Sequence, residues 1–567
     1  MCESPRRGGV YGRGQWTACP RPGGLREVVH LSHGFDWQAL YPEGVSREYA
    51  PPKRFVWQYL EETARRFPEK PALYYEDLLV TYGQLWRRVK TSAATLRSRG
   101  FARGKRGDRV MLALPNCPEF VVQYYAALRA DMIPVAVSPK LLRDELSELI
   151  RIVEPRAAFI DSDLAGEFEA ARIRAHIREP KVYYLRPGSE FAAERGDSEL
   201  LPDVLGDPAP SQSRHDMDIA VLQMTSGTTG GLKLAMMSHR NLVANAEQNN
   251  TWFGWTPQDV ILGALPLYHT WGMCCVMNAS IAAGATMALV RDFNPSNALD
   301  TIERHGVTVA YGSGTMFLRL LDTAGGEAAD RFASLRYVKA GAMLIDSSLN
   351  RRWGEACPDI PMINGYGLTE AGPEVTNNPP GKVKTGTVGV PLPGTDIRLC
   401  HAEEPEEALS EGEGEIQVRG PQVMLGYWGE PASTRAAILP GGWLRTGDIG
   451  RFDPEGYLKI VDRLKDLIKF RGYSVAPSEV ERVLLTHPSV KEATVVGIPD
   501  ASDGEVPVAY LVLKDGVPTE VSDMPDFVEP HLASFKRPRR YHIVHEIPKN
   551  HVGKPLKRVL REMPEPR

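Results

Sequence analysis

Short apolar runs alternate with stretches of helical period along the first two thirds of the chain. Tyr82 to Gly100 places apolar residues three and four apart, and Arg109–Leu114 follows as a short apolar strand. Glu119–Ala130 returns to the helical period and Ile133–Val137 to strand. The alternation recurs at Ala157–Ile160, Val307–Tyr311, Leu335–Ala340 and Met362–Ile363. Strands separated by helices predict α/β layers with largely parallel sheets. Beyond residue 385 the texture changes to turn-rich short strands, at Ile397–Cys400, Glu415–Arg419 and Gly456–Val461. The C-terminal region reads as a separate small α+β unit. There Ser478-Glu-Val-Glu481 reads as a capping box opening an amphipathic helix, and Ala493–Ile498 and Val508–Leu513 read as strands.

One stretch tests a soluble reading. Val260 to Val290 holds no Asp, Glu, Lys or Arg, long enough for a membrane span. Pro266, His269, Asn278 and scattered Gly and Ser interrupt it. Its first half reads as strand and turn and its second half as a small-residue helix, so a buried core segment is expected and no integral span. The composition agrees: of 567 residues, 43% are apolar and 24% charged, which is ordinary for a globular protein. The formal net charge of −4 argues against a dedicated nucleic-acid binder. The seven cysteines show no metal-ligand spacing, which points to a reduced, cytoplasmic setting without structural zinc. Residues 1–35 open on an Arg/Gly-rich stretch with no apolar segment, and are expected to form a disordered tail rather than a secretory signal. His401–Glu415 carries seven Glu and no basic residue, and reads as a solvated loop.

Chemistry enters at Thr225-Ser-Gly-Thr-Thr-Gly-Gly-Leu-Lys233, which follows the apolar strand Ile219–Met224. Glycines let backbone N–H groups approach phosphate oxygens, hydroxyls add donors, and a lysine supplies charge. The spacing of a Walker A loop is absent, which excludes a P-loop NTPase. Thr369-Glu370 in a Gly-rich turn offers one carboxylate, the kind of donor a hard cation takes beside phosphate oxygens. Asp448 could accept from two hydroxyls, although an Asp after Thr446-Gly447 could equally be a turn residue. His269 could be a satisfied core histidine. Residues 531–567 hold ten Lys or Arg against three Glu, a basic unit suited to a polyanionic ligand or simply a solvated face.

Six segments in order resemble the adenylate-forming superfamily of acyl-CoA synthetases, luciferases and adenylation domains. Thr225–Lys233 resembles its phosphate loop, and Leu265-Pro-Leu-Tyr-His-Thr-Trp-Gly272 the motif bordering its acyl site. Asn364-Gly-Tyr-Gly-Leu-Thr-Glu370 resembles the adenine and magnesium motif, and Thr446-Gly-Asp448 the ribose motif. Asp462-Arg-Leu-Lys-Asp-Leu-Ile-Lys469 with Gly472-Tyr473 resembles the hinge and thiol-side loop, and Pro548-Lys-Asn-His-Val-Gly-Lys554 the catalytic-lysine motif. Upstream, Trp37-Gln-Ala-Leu-Tyr-Pro-Glu-Gly44 is similar to the start of bacterial long-chain fatty acid–CoA ligases. Two departures stand out. The phosphate loop ends Gly231-Leu232-Lys233-Leu234, without the family's proline and final glycine, and Gly341-Ala-Met-Leu-Ile-Asp346 lacks the usual proline.

The resemblance implies a large N-terminal α/β domain over 36–462, built as two layered α/β subdomains plus a distorted β-barrel part. It also implies a small, mobile α+β C-terminal domain over 463–567. It implies nucleotide contacts from Thr225, Ser226, Gly227, Thr228, Thr229, Gly230, Lys233, Gly341, Ala342, Asn364, Gly365, Tyr366, Gly367, Asp448 and Arg463. Glu370 would take Mg²⁺, Thr369 the α-phosphate, and Lys554 the charge that develops as a carboxylate attacks it. His269 would position the acyl group, with Trp271, Met273, Tyr311, Gly312 and Gly365 as pocket wall. Lys465 would sit at the hinge, with Gly472 and Tyr473 on the CoA side.

The expected reaction joins a carboxylic acid to coenzyme A through an acyl-adenylate, with ATP and Mg²⁺, releasing pyrophosphate and AMP. The upstream similarity favours a medium- or long-chain fatty acid, for which the small residues Ala279–Gly284 would leave a deep apolar channel. The alternatives are an aryl-acid CoA ligase, a ligase that loads a carrier protein, and a nucleotide-binding regulator without turnover. A monomer or homodimer is expected, touching a bilayer at most peripherally.

Overall fold

The computed structural model describes residues 34–99, 107–177, 180–188, 215–225, 232–341, 347–471, 473–500, 502–514, 523–549 and 555–563. Among these residues four sheets carry the architecture. A six-stranded sheet runs in the order Lys181–Leu185, Ala157–Asp161, Arg109–Ala113, Ile133–Ala136, Ile219–Thr225, Lys233–Ser238, parallel except for its last strand. A nine-stranded sheet holds a parallel centre, Met362–Gly367, Tyr337–Gly341, Val309–Ser313, Val260–Gly263, Thr286–Leu289. The strand Glu374–Asn377 adds antiparallel beside Met362–Gly367. These sheets, with helices such as Pro118–Arg129 and His239–Phe253 packed on them, make the large α/β domain.

An antiparallel five-stranded sheet follows, in which Trp443–Phe452 pairs with Gly414–Arg419 on one side and Leu458–Arg463 on the other. The smaller C-terminal domain is built on Ile468–Phe470, Tyr473–Val475, Val490–Asp500, Gly504–Leu513 and Arg540–Ile543, with its own apolar cluster around Val480, Val495 and Leu511.

The charge-free stretch 260–290 is core. Val260–Gly263 is a strand, and Trp271–Asn278 winds as a π-helix that continues into the helix Ala279–Ala283. Its residues are nearly all buried, and among the described residues no helix is long and apolar enough to cross a membrane. The small residues do not open a channel. Thr63 Oγ1 donates to the Ile281 carbonyl at 2.9 Å, and Gly284 lies against Thr63 and Phe67, so this segment is spent on close helix packing. Cys117, Cys274, Cys275, Cys357 and Cys400 are all buried thiols.

Two local readings are corrected. The strand read at 307–311 is Val309–Ser313, because Gly306 ends the preceding helix in the left-handed region and Val307 N–H closes back on the Ile302 carbonyl. Ser478 is not an N-cap. The helix Pro477–Leu484 starts one residue earlier, and it is Asp462 Oδ2 that accepts the Ser478 N–H at 2.8 Å. Ser478 Oγ donates to the Val461 carbonyl at 2.6 Å, and Glu481 instead accepts from Val495 N–H and pairs with Lys557. The capping carboxylate comes from the preceding strand, so it ties the two domains at their junction.

Candidate active site

Ladder register brings the first constellation together. Asp448 and Arg463 are partners across neighbouring antiparallel strands. Arg463 Nε lies 3.1 Å from Asp448 Oδ1, and the Tyr366 hydroxyl donates to Asp448 Oδ2 at 2.7 Å. Asp448 N–H donates to Thr446 Oγ1, which locks the Thr-Gly-Asp turn. Burial, then the Asp448 charge, pushes the Tyr366 phenol well above its usual range, so it remains a donor. Two residues from two other sequence segments therefore meet at the Asp448 carboxylate. We predict that Asp448→Ala raises the KM for ATP by about 10–10²-fold through lost charge-assisted hydrogen bonds, with a much smaller change in kcat. Steady-state kinetics with varied ATP tests this, and an unchanged KM would remove Asp448 from the nucleotide site.

The second constellation surrounds Glu370. Tyr427 donates to Glu370 Oε1 at 3.0 Å, and Met424 N–H donates to the Glu370 carbonyl at 2.9 Å. The segment 424–428 is itself laced to the strand Lys233–Ser238 by Leu425 N–H to Met236 O, Met236 N–H to Gly426 O and Trp428 N–H to Leu234 O. Lys233 Nζ stands 5.2 Å from the centre of the Tyr427 ring. Thr225 and Lys233 are register partners, so both ends of the predicted phosphate loop are fixed beside Glu370. Ser226–Gly230 lie outside the described residues, as do Ala342, Gly472 and Lys554. Burial raises the Glu370 carboxyl above the usual carboxylate range, while the Tyr427 hydrogen bond opposes the rise.

A half-buried carboxylate with one oxygen taken by Tyr427 fits a hard cation that takes most of its ligands from phosphate and water. Asn364 supplies a further sign of a ligand: its Oδ1 is buried and meets no donor among the described residues. Because Tyr427 stabilises the charged form of Glu370, Tyr427→Phe should move the acidic limb of the kcat/KM–pH profile upward, with a larger loss at pH 6 than at pH 8. An unmoved limb would uncouple Glu370 from that profile.

The acyl-side residues divide. His269 accepts the Trp271 N–H on Nδ1 at 3.3 Å, a turn that starts the π-helix. The Trp271 and Tyr311 rings are 6.0 Å apart, and Tyr311 donates to Asn249 Oδ1 at 2.7 Å. Met273 is fully buried on the π-helix. Gly312 does not join them. As the next residue along the strand it turns to the opposite sheet face, where a Cβ would meet Phe317 at 3.2 Å. Gly341 and Gly365 are required by close approach. A Cβ on Gly341 would lie 2.9 Å from the Trp271 ring, and one on Gly365 would lie 2.1 Å from Asn377 Oδ1.

At the junction, Lys465 lies in the turn Leu464–Asp466, and partial desolvation and then the Arg463 charge pull its ammonium down to about 8. Arg561 pairs with Asp466 at 3.2 Å. The strand Tyr473–Val475 adds to the C-terminal sheet. Around Lys554, Lys549 bridges Pro555, Leu556 N–H donates to the Pro548 carbonyl at 2.8 Å, and Lys549 pairs with Glu492.

The AMP-binding enzyme family matches residues 60–428, and the AMP-binding enzyme C-terminal domain matches residues 479–554. The chain belongs to this adenylate-forming family. It is similar to a long-chain-fatty-acid–CoA ligase of Bacillus subtilis, 33% identical over 93% of this chain and 97% of that one. It is also similar to 4-coumarate–CoA ligase 3 of Oryza sativa, 32% identical over 85% of this chain and 86% of that one. Among solved structures it matches the O-succinylbenzoate–CoA synthetase of Bacillus subtilis in complex with ATP and magnesium ion. That match has a TM-score of 0.76 and 29% identity, covering 90% of this chain and all of that one. Tyr366, Glu370 and Tyr427 fall inside the first matched region, and Asp448 and Arg463 lie on strands just beyond it. Tyr427, Lys339, Glu374 and Asn377 were not anticipated. They fall outside any motif, and only the alternation of a buried strand with charged residues inside it could have signalled the last three.

Proposed function

We propose that the protein is an AMP-forming acid–CoA ligase whose acid is a medium- or long-chain fatty acid. The convergence of Tyr366 and Arg463 on Asp448, whose charges are felt at Glu370, carries the nucleotide half of this reading. The fatty-acid half is supported by the relatives named for long-chain fatty acids, which align with nearly the whole chain. In this reading Asp448 accepts the ribose hydroxyls, Tyr366 flanks the adenine, and Thr225–Lys233 binds the phosphates with Thr369 on the α-phosphate. Glu370 would hold Mg²⁺, which when bound neutralises charge on the phosphate oxygens. The acid's carboxylate attacks the α-phosphorus and pyrophosphate leaves, giving a mixed anhydride. Lys554 stabilises the charge that develops in this step. The coenzyme A thiolate then attacks the acyl carbon and AMP leaves.

The domain junction falls between Arg463, where one sheet ends, and Ile468, where the next begins. Rotation about Lys465 and Asp466 would exchange Lys554 for the Gly472-Tyr473 loop, closing the site for adenylation and opening it to the thiol.

A second reading, an aryl acid, draws on the cluster of aromatic rings formed by Trp271, Tyr311, Phe253 and Trp255 beside the acyl-side motif. Acid-dependent pyrophosphate release over C2–C18 and aryl acids, with and without coenzyme A, tests both. A maximum at C8–C16 that needs coenzyme A is expected. A maximum with aryl acids would favour the second reading, release without coenzyme A stimulation would favour loading of a carrier protein, and no release with any acid would overturn the ligase.

A further inference from the structure

Behind the acyl-side residues lies a charged cluster that the reaction above does not use. Lys339 and Glu374 are 2% and 4% exposed, and Asn377 is fully buried. Lys339 Nζ donates to Glu374 Oε1 at 2.6 Å and also to Asn377 Oδ1, and Asn377 Nδ2 donates to Glu374 Oε2 at 2.9 Å. The fourth member is Trp271, whose indole N–H donates to Glu374 Oε1 at 3.2 Å. Both oxygens of one carboxylate are thereby filled, and the indole is fixed in orientation. Apolar sets of similar volume often fill such sites at no loss of stability, so a buried ion pair is weak evidence for a role in holding the fold alone.

Its position supplies another role. Lys339 and Gly341 are alternate residues of one strand and face the same way. The Trp271 ring lies over Gly341 so closely that a Cβ there would be 2.9 Å from it. A Cβ on Gly365, on the strand that carries Tyr366, would lie 2.1 Å from Asn377 Oδ1 and 2.7 Å from Lys339 Nζ. The cluster thus stands at the C-terminal ends of the parallel strands, where open α/β sheets bind their ligands.

We propose that Lys339, Glu374 and Asn377 are positioning residues that hold Trp271 as the end wall of the acyl pocket and so set the longest acid accepted. This rests on the ligase reading. The wall is fixed by a hydrogen bond rather than by shape alone, so cutting that bond lengthens the pocket.

The test is kcat/KM for straight-chain acids from C4 to C18, or for benzoate against its para-alkyl derivatives if aryl acids are the substrates. The proteins compared are the unaltered chain, Trp271→Ala, Glu374→Gln and the double variant Lys339→Met with Glu374→Leu. The double variant keeps volume and removes both charges, so it remains informative if Glu374→Gln does not fold. Each methylene newly accommodated is worth a factor of about four, so room for two should raise the long-to-short ratio about fifteenfold. The expected result is that rise in Trp271→Ala and in at least one cluster variant, with the KM for ATP unchanged. A uniform fall across all acids with the same optimum would overturn the proposal and leave the cluster a structural element. Failure of the ligase reading would look different: the unaltered chain itself would release no pyrophosphate with any acid.

Discussion

Glu370→Gln should cut acid-dependent pyrophosphate release by about 10²–10³-fold, the usual cost of removing one preorganised electrostatic contact. The substitution is nearly isosteric, and the amide oxygen can still accept from Tyr427, which lies 3.0 Å from Glu370 Oε1. The folded state should therefore survive, and a thermal melt will show that. What changes is charge. Glu370 is raised toward neutrality by burial, so its anion is costly unless something positive arrives to pair with it. A divalent cation on the nucleotide phosphates would be that partner. Raising the Mg²⁺ concentration should therefore recover part of the lost activity, and the apparent affinity for Mg²⁺–ATP should fall. Full activity with unchanged Mg²⁺ dependence would sink the assignment.

Lys554→Ala should remove the first half-reaction and spare the second. Adenylation should fall by about 10²–10³-fold or more, because in the proposed mechanism Lys554 supplies the positive charge that meets the developing phosphate charge. Thioester formation from a synthetic acyl-adenylate and coenzyme A should continue near its original rate, since the lysine is not needed for attack on the acyl carbon. The two measurements separate a role in adenylation from general damage. Equal loss in both halves would show that the substitution disturbs the C-terminal domain rather than the chemistry. Lys554 is chosen by its place in Pro548–Lys554. The structure adds that both flanks of this segment are tied down, by the Lys549–Pro555 bridge and the Leu556–Pro548 hydrogen bond.

The strands and helices were legible where burial and period agree. Arg109–Ala113 and Ile133–Ala136 are central strands buried on both faces, so their sequence is a short unbroken apolar run. The helix Tyr82–Ser98 was legible for the complementary reason, an apolar stripe opened by the Thr81 cap. Legibility failed where a partner from elsewhere overrode local chemistry. Ser478 and Glu481 have the spacing of a capping box, yet Asp462 supplies the cap and Glu481 is drawn to Lys557. The small residues of Ala279–Gly284 suggested open space, and neighbouring helices occupy it. The π-helix at Trp271–Asn278 had no signal in a period of 3.6.

By itself, the sequence determined the chemistry-bearing segments and their order. Glycine-rich phosphate loops, single carboxylates in turns and a lysine after glycine are local devices, and each is written in contiguous residues. It also determined the layering, since hydrophobic period is local too. Only the tertiary structure decided which distant groups meet. Register between neighbouring strands put Arg463 on Asp448 and brought Tyr366 to the same carboxylate. A segment crossing from residue 424 to 428 joined the strand Lys233–Ser238 to Glu370. The strand Glu374–Asn377, folded back beside Met362–Gly367, turned an isolated Lys339 into a buried ion pair that grips Trp271. The physical reason is that a charge can be buried only beside its partner, and spacing along a chain does not say who that partner is.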